Sequence, residues 1–170
     1  AIDKKLGDVP GVVPSGSTVD YPYTLTVTKA GQTDSGWVVT GAITVSNPNT
    51  WQAVTLTGVS DALSVTGASC VVTGDQTASI PASGSAQFSY TCTYAVQPTA
   101  YQGTNTATAT WDAAAAHTAA GSASGDAAYT LALQGETNKT VTVTDTQHDS
   151  WTLDWATAAA STDLTYTITR

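Results

Sequence analysis

Two cysteines carry the most definite chemistry in this 170-residue chain. Cys70 lies in S-C-V-V-T and Cys92 in Y-T-C-T-Y. Both stretches alternate like strands, and Cys92 shares the inward parity of Phe88, Tyr90 and Tyr94. The chain begins at Ala1 rather than at a methionine, which reads as a mature secreted chain or an excised segment. An even cysteine count in a secretory chain favours a Cys70–Cys92 disulfide over two buried thiols. Such a bond stabilises by about 3 kcal/mol through its effect on the unfolded chain. Nothing resembles C-x-x-C, so no redox motif is in view.

The five tryptophans, Trp37, Trp51, Trp111, Trp151 and Trp155, offer a second chemistry. An exposed indole stacks on the apolar face of a sugar ring while nearby polar groups fix its orientation. Trp37 and Trp111 have inward parity in their strands and are expected in the core. Trp51 follows the Asn47-Pro48-Asn49 turn and is the one expected to be exposed. Trp151 and Trp155 are four apart and share a strand face, which suits a core or a partner surface equally. Trp51, Trp151 and Trp155 are therefore the candidate ligand-binding residues.

Other reactive groups form no recognisable constellation. His117 and His148 sit in loop-like contexts, with no spacing that suggests a shared metal. Asp145, Asp149 and Asp154 lack the D-x-D-x-D-G pattern of a calcium loop. Neither a metal nor a cofactor is expected. No G-x-S-x-G presents a nucleophile, and no carboxylate pair stands out for glycoside hydrolysis, so the chain reads as a non-enzyme. Asn138-Lys139-Thr140 satisfies the N-glycosylation sequon, which makes Asn138 a candidate acceptor.

The elements that must position these residues are strands. Val19, Tyr21, Tyr23, Leu25 and Val27 share one parity, and the same beat returns at Trp37 to Val45, Phe88 to Tyr94, Asn105 to Trp111 and beyond. Gly, Pro, Asn and Ser clusters separate the runs, as in an all-β antiparallel sandwich. Threonine makes up roughly a fifth of the residues, well above ordinary usage; its branched Cβ suits a pleated surface. The expected organisation is an extended arm over 1–17, a sandwich over 18–112, a linker over 113–125 and a smaller unit over 126–170. The last of these holds only four strand candidates, which reads as an incomplete unit.

Thirteen acidic residues against five basic ones give a net charge of −8 and a pI near 4.2. Nucleic acid and anionic membrane are disfavoured as partners. No apolar run approaches the roughly twenty residues of a bilayer-spanning helix, so membrane insertion is not expected.

G-W-V-V-T-G-A-I-T-V-S-N-P-N (Gly36 to Asn49), S-C-V-V-T-G (Ser69 to Gly74), S-Y-T-C-T-Y (Ser89 to Tyr94) and T-N-T-A-T-A-T-W (Thr104 to Trp111) together resemble a family. It is the immunoglobulin-like repeat modules of large secreted and cell-wall proteins of bacteria. Thr140 to Thr146 resembles the start of a further repeat. The resemblance covers most of the chain from about Tyr21. It implies immunoglobulin-like sandwiches, one complete and one smaller, and a role in surface fibres, stalks or adhesion, with no shared catalytic residues. It also raises lysine-to-asparagine isopeptide bonds at Lys29 and Lys139, although the matching acidic motif is absent and solvated lysines are the plainer reading.

The function expected is a non-catalytic extracellular structural protein that self-associates with identical subunits into a filament. Its mechanism would be strand complementation, in which an extended segment fills a neighbour's open sheet edge. The 1–17 arm is a candidate donor, with Ile2, Leu6 and Val9 as plugs; the final strand ending at Arg170 is the alternative donor. The competing expectation is a carbohydrate-binding or adhesive module that takes a cell-surface glycan on its exposed tryptophans.

Overall fold

A computed structural model describes every residue of the chain except Asp149. Among the described residues there is no helix, and twelve strands build antiparallel sheets, so the fold is all-β. The chain divides into two compact units. One is continuous, Asp34–Leu133, and is called here the inserted unit; the other, the split unit, joins Ala1–Thr33 to Gln134–Arg170.

The inserted unit contains β3 (Val38–Ser46), β4 (Val54–Leu63), β5 (Ala68–Thr73), β6 (Ser79–Ile80), β7 (Ser85–Tyr94), β8 (Gln102–Trp111) and β9 (Ser122–Thr130). They form a three-stranded sheet, β3-β7-β5, and a four-stranded sheet, β6-β4-β8-β9. Ile43 lies opposite Phe88 across β3 and β7, and both join Leu56, Val59, Ile80 and Ala109 in the core. Along β4 the inward residues run Val54, Leu56, then Val59, which breaks strict alternation. A bulge between Leu56 and Gly58 absorbs the extra residue. It returns Val59 to the core and gives Asp61 the same inward parity.

The split unit contains β1 (Ile2–Leu6), β2 (Asp20–Thr28), β10 (Thr140–Thr144), β11 (Ser150–Asp154) and β12 (Ser161–Thr169). Its sheets are β1-β2-β12 and the pair β10-β11. Leu25 and Leu164 are register partners in the core, together with Val143 and Tyr166. Tyr23 and Tyr166 are partners one step along and stack at 5.2 Å.

Threonine's abundance has a structural use on the exposed faces. Thr26 bonds Asp163, Thr55 bonds Ser79, Thr106 bonds Asp126, Thr108 bonds Ser124 and Thr169 bonds Asp20. Each pair consists of residues directly opposite in the register. Such cross-strand pairs contribute roughly 0.2–1 kcal/mol apiece and hold strands with few apolar side chains in place.

This organisation differs from the one the sequence suggests. β2 does not belong to the sandwich expected over 18–112; it pairs with β12 and β1. Alternation specifies which face of a strand is buried but not which strand lies beside it. The expected linker over 113–125 is a tight turn followed by the start of β9, which pairs along the whole of β8. β9 reads S-A-S-G-D-A-A-Y-T and is exposed over nearly its full length, so only its second half coincides with a strand candidate, the one at Ala127 to Leu133. The expected arm over 1–17 contains β1, bonded to β2 of its own chain. The split unit therefore has five strands, of which three come from 126–170 and two, β1 and β2, from before the inserted unit; the candidate at Ala127 to Leu133 falls in β9 instead.

Candidate functional site

Asn47 organises the turn that carries Trp51. Its side chain is buried, and Nδ2 donates to the carbonyls of Gln52, Ile80 and Pro81 at 2.8, 3.1 and 3.1 Å. Its Oδ1 accepts from the Asn49 backbone N–H at 3.1 Å. An amide so fully used fixes the Asn47-Pro48-Asn49 turn against the β6 end of the sheet. Trp51 is thereby held outward and is 66% exposed.

A second turn meets it. Asp112 Oδ1 accepts from the backbone N–H groups of Ala114 and Ala115, and the Ala116 N–H bonds the Asp112 carbonyl. The Ala113 to Ala116 run thus forms one capped turn. His117 ends it with φ 53°, the left-handed conformation that stops helix growth. Its imidazole lies 5.8 Å from the Trp51 ring, tilted by 37°. Between the two turns is a cavity of about 200 Å³, with Gln52, Thr55, Thr57, Asp112 and Ala116 in its lining. The β4 bulge lies at Thr57.

Cys70 and Cys92 are disulfide-bonded, as the sequence suggests, and are register partners across β5 and β7. Asp61 lies against them, with Oδ2 3.1 Å from Cys92 Sγ and accepting from Asn105 Nδ2 at 2.8 Å. Its Oδ1 is buried with no hydrogen-bond partner. Desolvation pushes the Asp61 carboxyl above the ordinary carboxylate value. Asp61, Cys70 and Cys92 come close enough to suggest a metal cluster, but the sulfurs are bonded to each other and are not thiolate ligands.

In the split unit Lys4 points inward from β1. Its Nζ donates to Asp145 Oδ2 at 2.6 Å and lies 4.8 and 5.5 Å from the Tyr23 and Tyr166 ring centroids. The Asp145 side chain is only 5% exposed. The Lys4 hydrogen bond, with a further one from the Gln147 backbone, holds the Asp145 carboxyl below its ordinary value. His148 stacks on Trp151 at 4.4 Å and tilts against Tyr166 at 5.0 Å. Neither Lys4 nor Asp61 stands out in the sequence. A lysine flanked by Ile2 and Leu6 on one parity was the available signal for the first; for the second there was none short of the bulge.

The remaining sequence candidates are placed as follows. Ile2 and Leu6 are 59% and 49% exposed, and Val9 is half-buried outside any strand, so none belongs to the core of their own chain. The reason is position: β1 is an edge strand, and the core gathers around β2, β10 and β12. Trp111 packs on the core of the inserted unit and Trp151 on that of the split unit. Trp155 is half-buried beneath Lys29, whose Nζ lies 4.8 Å from the ring centroid and bonds the Trp155 carbonyl. Trp151 and Trp155 therefore do not join Trp51 in one exposed row. Lys139 bonds Glu136 at 2.9 Å. Asn138 is exposed in a bend with φ 56°. His117 and His148 fall in different units. Of the acids considered for calcium, Asp145 is engaged by Lys4, Asp154 Oδ1 accepts from the Ala156 N–H, and Asp149 lies outside the described residues.

No protein-family model, curated protein or solved structure matches this chain. Among the described residues, no helix is long and apolar enough to cross a membrane.

Proposed function

We propose that this protein is a non-catalytic structural component of the cell exterior, a subunit of a surface fibre assembled by exchange of β1 between neighbouring copies. The observation that carries this reading is the way β1 is held. Five register pairs bind it to β2, yet all five of its residues are exposed and its hold on the interior is Lys4 alone, through Asp145 and the Tyr23 and Tyr166 rings. The same ladder and the same ion pair form equally well when β1 comes from another copy.

The tether permits it. Residues 8–19 contain no strand and carry Pro10, Gly11, Pro14 and Gly16, and a segment of that length spans up to about 40 Å. A head-to-tail exchange does not close and so propagates as a filament. An oxidising exterior suits the disulfide, and the surplus of acidic residues suits solubility there.

Negative-stain electron microscopy of natively secreted, undenatured protein is the direct test. Regular filaments that vanish on deletion of residues 1–17, while the disulfide-bonded inserted unit stays folded, are expected. Filaments that survive the deletion eliminate β1 as donor, and uniform single particles at every concentration eliminate the fibre.

A further inference from the structure

The cavity beside Trp51 belongs to neither the β1 exchange nor the core, and its chemistry is that of a ligand site. Its lining comes from two segments, 52–57 and 112–116, and the residues adjoining them, Trp51 and His117, pack ring against ring at 5.8 Å. Trp51 is the most exposed aromatic residue among the exposed large hydrophobics, at 66%. The oblique His117 contact supports the indole without covering it. Leaving so much indole in water is unfavourable unless something covers it.

The hydrogen-bonding groups around the cavity are arranged to accept. Thr55 and Thr57 spend their hydroxyl protons on Ser79 and Thr110, which leaves oxygen lone pairs. Asp112 uses Oδ1 to cap its own turn, and its Oδ2 has no hydrogen bond among the described residues. Gln52 adds a carboxamide that both donates and accepts. Acceptors of this kind match hydroxyl donors.

Charge excludes anionic ligands. The inserted unit contains Asp34, Asp61, Asp75, Asp112 and Asp126 and no Lys or Arg, so nothing in it neutralises a phosphate, sulfate or carboxylate. Size excludes large ones: about 200 Å³ lies below the roughly 300–1,000 Å³ of pockets that enclose drug-sized ligands. What remains is one neutral, hydroxyl-rich ring with an apolar face.

We infer that Trp51, with Gln52, Asp112 and His117, forms a binding site for a single neutral hexopyranose unit of a polysaccharide. The sugar's C–H face stacks on the free face of Trp51, and its hydroxyls donate to Asp112 Oδ2 and the threonine oxygens. Trp51 adjoins the lining residue Gln52 and is exposed to solvent, so the rest of the polysaccharide continues outward from it. The protein would thus hold a glycan through a site on the inserted unit, independently of strand exchange through the split unit.

The test is titration of the full chain with cellohexaose, chitohexaose, xylohexaose and laminarihexaose, each followed by calorimetry and by saturation-transfer NMR. Saturable binding of at least one, with transfer strongest to the ring C–H protons, is expected. Trp51→Ala should weaken it tenfold or more, and Asp112→Asn, which keeps the capping Oδ1, should weaken it several-fold. Both variants should retain the parent's thermal transition, because both side chains are exposed. Absence of binding by all four hexasaccharides at millimolar concentration overturns the inference, as does parental affinity in both variants. Neither result bears on filament formation, which is scored separately by microscopy.

Discussion

The inserted and split units solve one problem by different means. The inserted unit closes seven strands around an aliphatic core with one phenylalanine and staples two neighbouring strands with a disulfide. The split unit has five strands and no disulfide, and joins its sheets through Lys4, Asp145 and the tilted contacts of His148 and Trp151 with Tyr166. Connectivity separates them further. The inserted unit is contiguous, whereas the split unit must bring together segments flanking 100 intervening residues. Closing an unstructured loop of that length costs roughly 4 kcal/mol of chain entropy. A folded inserted unit removes most of that cost by bringing its own ends to a fixed separation. Dependence therefore runs one way: the split unit needs the inserted unit more than the reverse.

The largest break in this comparison is expected from Phe88→Ala. Phe88 is 3% exposed in the core of the inserted unit, and such truncations cost about 3–5 kcal/mol. Denaturant unfolding followed by intrinsic fluorescence should show the inserted unit lost and the split unit weakened with it. The matching core change in the split unit, Leu164→Ala, should leave the inserted unit's transition in place. Equal effects on both transitions from either side would remove the asymmetry.

Next in size is loss of the staple. Replacing Cys70 and Cys92 together with alanine should lower the inserted unit's stability by about 3 kcal/mol. Intact-mass analysis with and without reduction before alkylation first establishes the bond. Lys4→Met tests the other unit, and it should lower the split unit's transition while leaving the inserted unit's unmoved.

The smallest effect is also the sharpest contrast, because the carboxylates of Asp145 and Asp61 respond to pH with opposite signs. Asp145 has a folded pKa below its unfolded value near 3.8, so the stability it lends is present above that value and fades as pH falls through the folded one. Asp61 has a folded pKa raised above 3.8; its contribution is full below the unfolded value and is lost as pH rises through the folded one. Acidification from neutrality should therefore first favour the inserted unit and then, at lower pH, weaken the split unit. Thermal melts of Asp61→Asn should lose the first trend and those of Lys4→Met should lessen the second.

Much of this architecture was legible in the sequence, and the gaps have physical causes. The alternations at Val19 to Val27 and Phe88 to Tyr94 correctly mark β2 and β7, and the inward parity of Cys92 and outward position of Trp51 hold. Strand partnership was not legible, because β2 serves either unit equally well by its own pattern. The strand candidate at Ala127 to Leu133 catches the second half of β9, but its first half, Ser122 to Asp126, is not legible because its hold on β8 comes from Thr106–Asp126 and Thr108–Ser124 pairs rather than from apolar burial. Lys4 was passed over because a lysine at an inward position contradicts the pattern that identifies the face. Its partner Asp145 is 141 residues away. The ring pair of Trp51 and His117 was equally hidden, since only the two turns bring those segments together.

The order β1-β2-β12 has a mechanical consequence. Ala1 bonds Thr28 at one end of β2, and Arg170 bonds Val19 at the other, about 30 Å away along the strand. Tension applied through those two residues pulls β1 and β12 in opposite directions along β2. It loads both ladders in shear, so their hydrogen bonds resist together instead of opening one at a time. The inserted unit, which leaves the chain after β2 and rejoins before β10, lies outside that load path and stays folded and unstretched while the split unit bears the force.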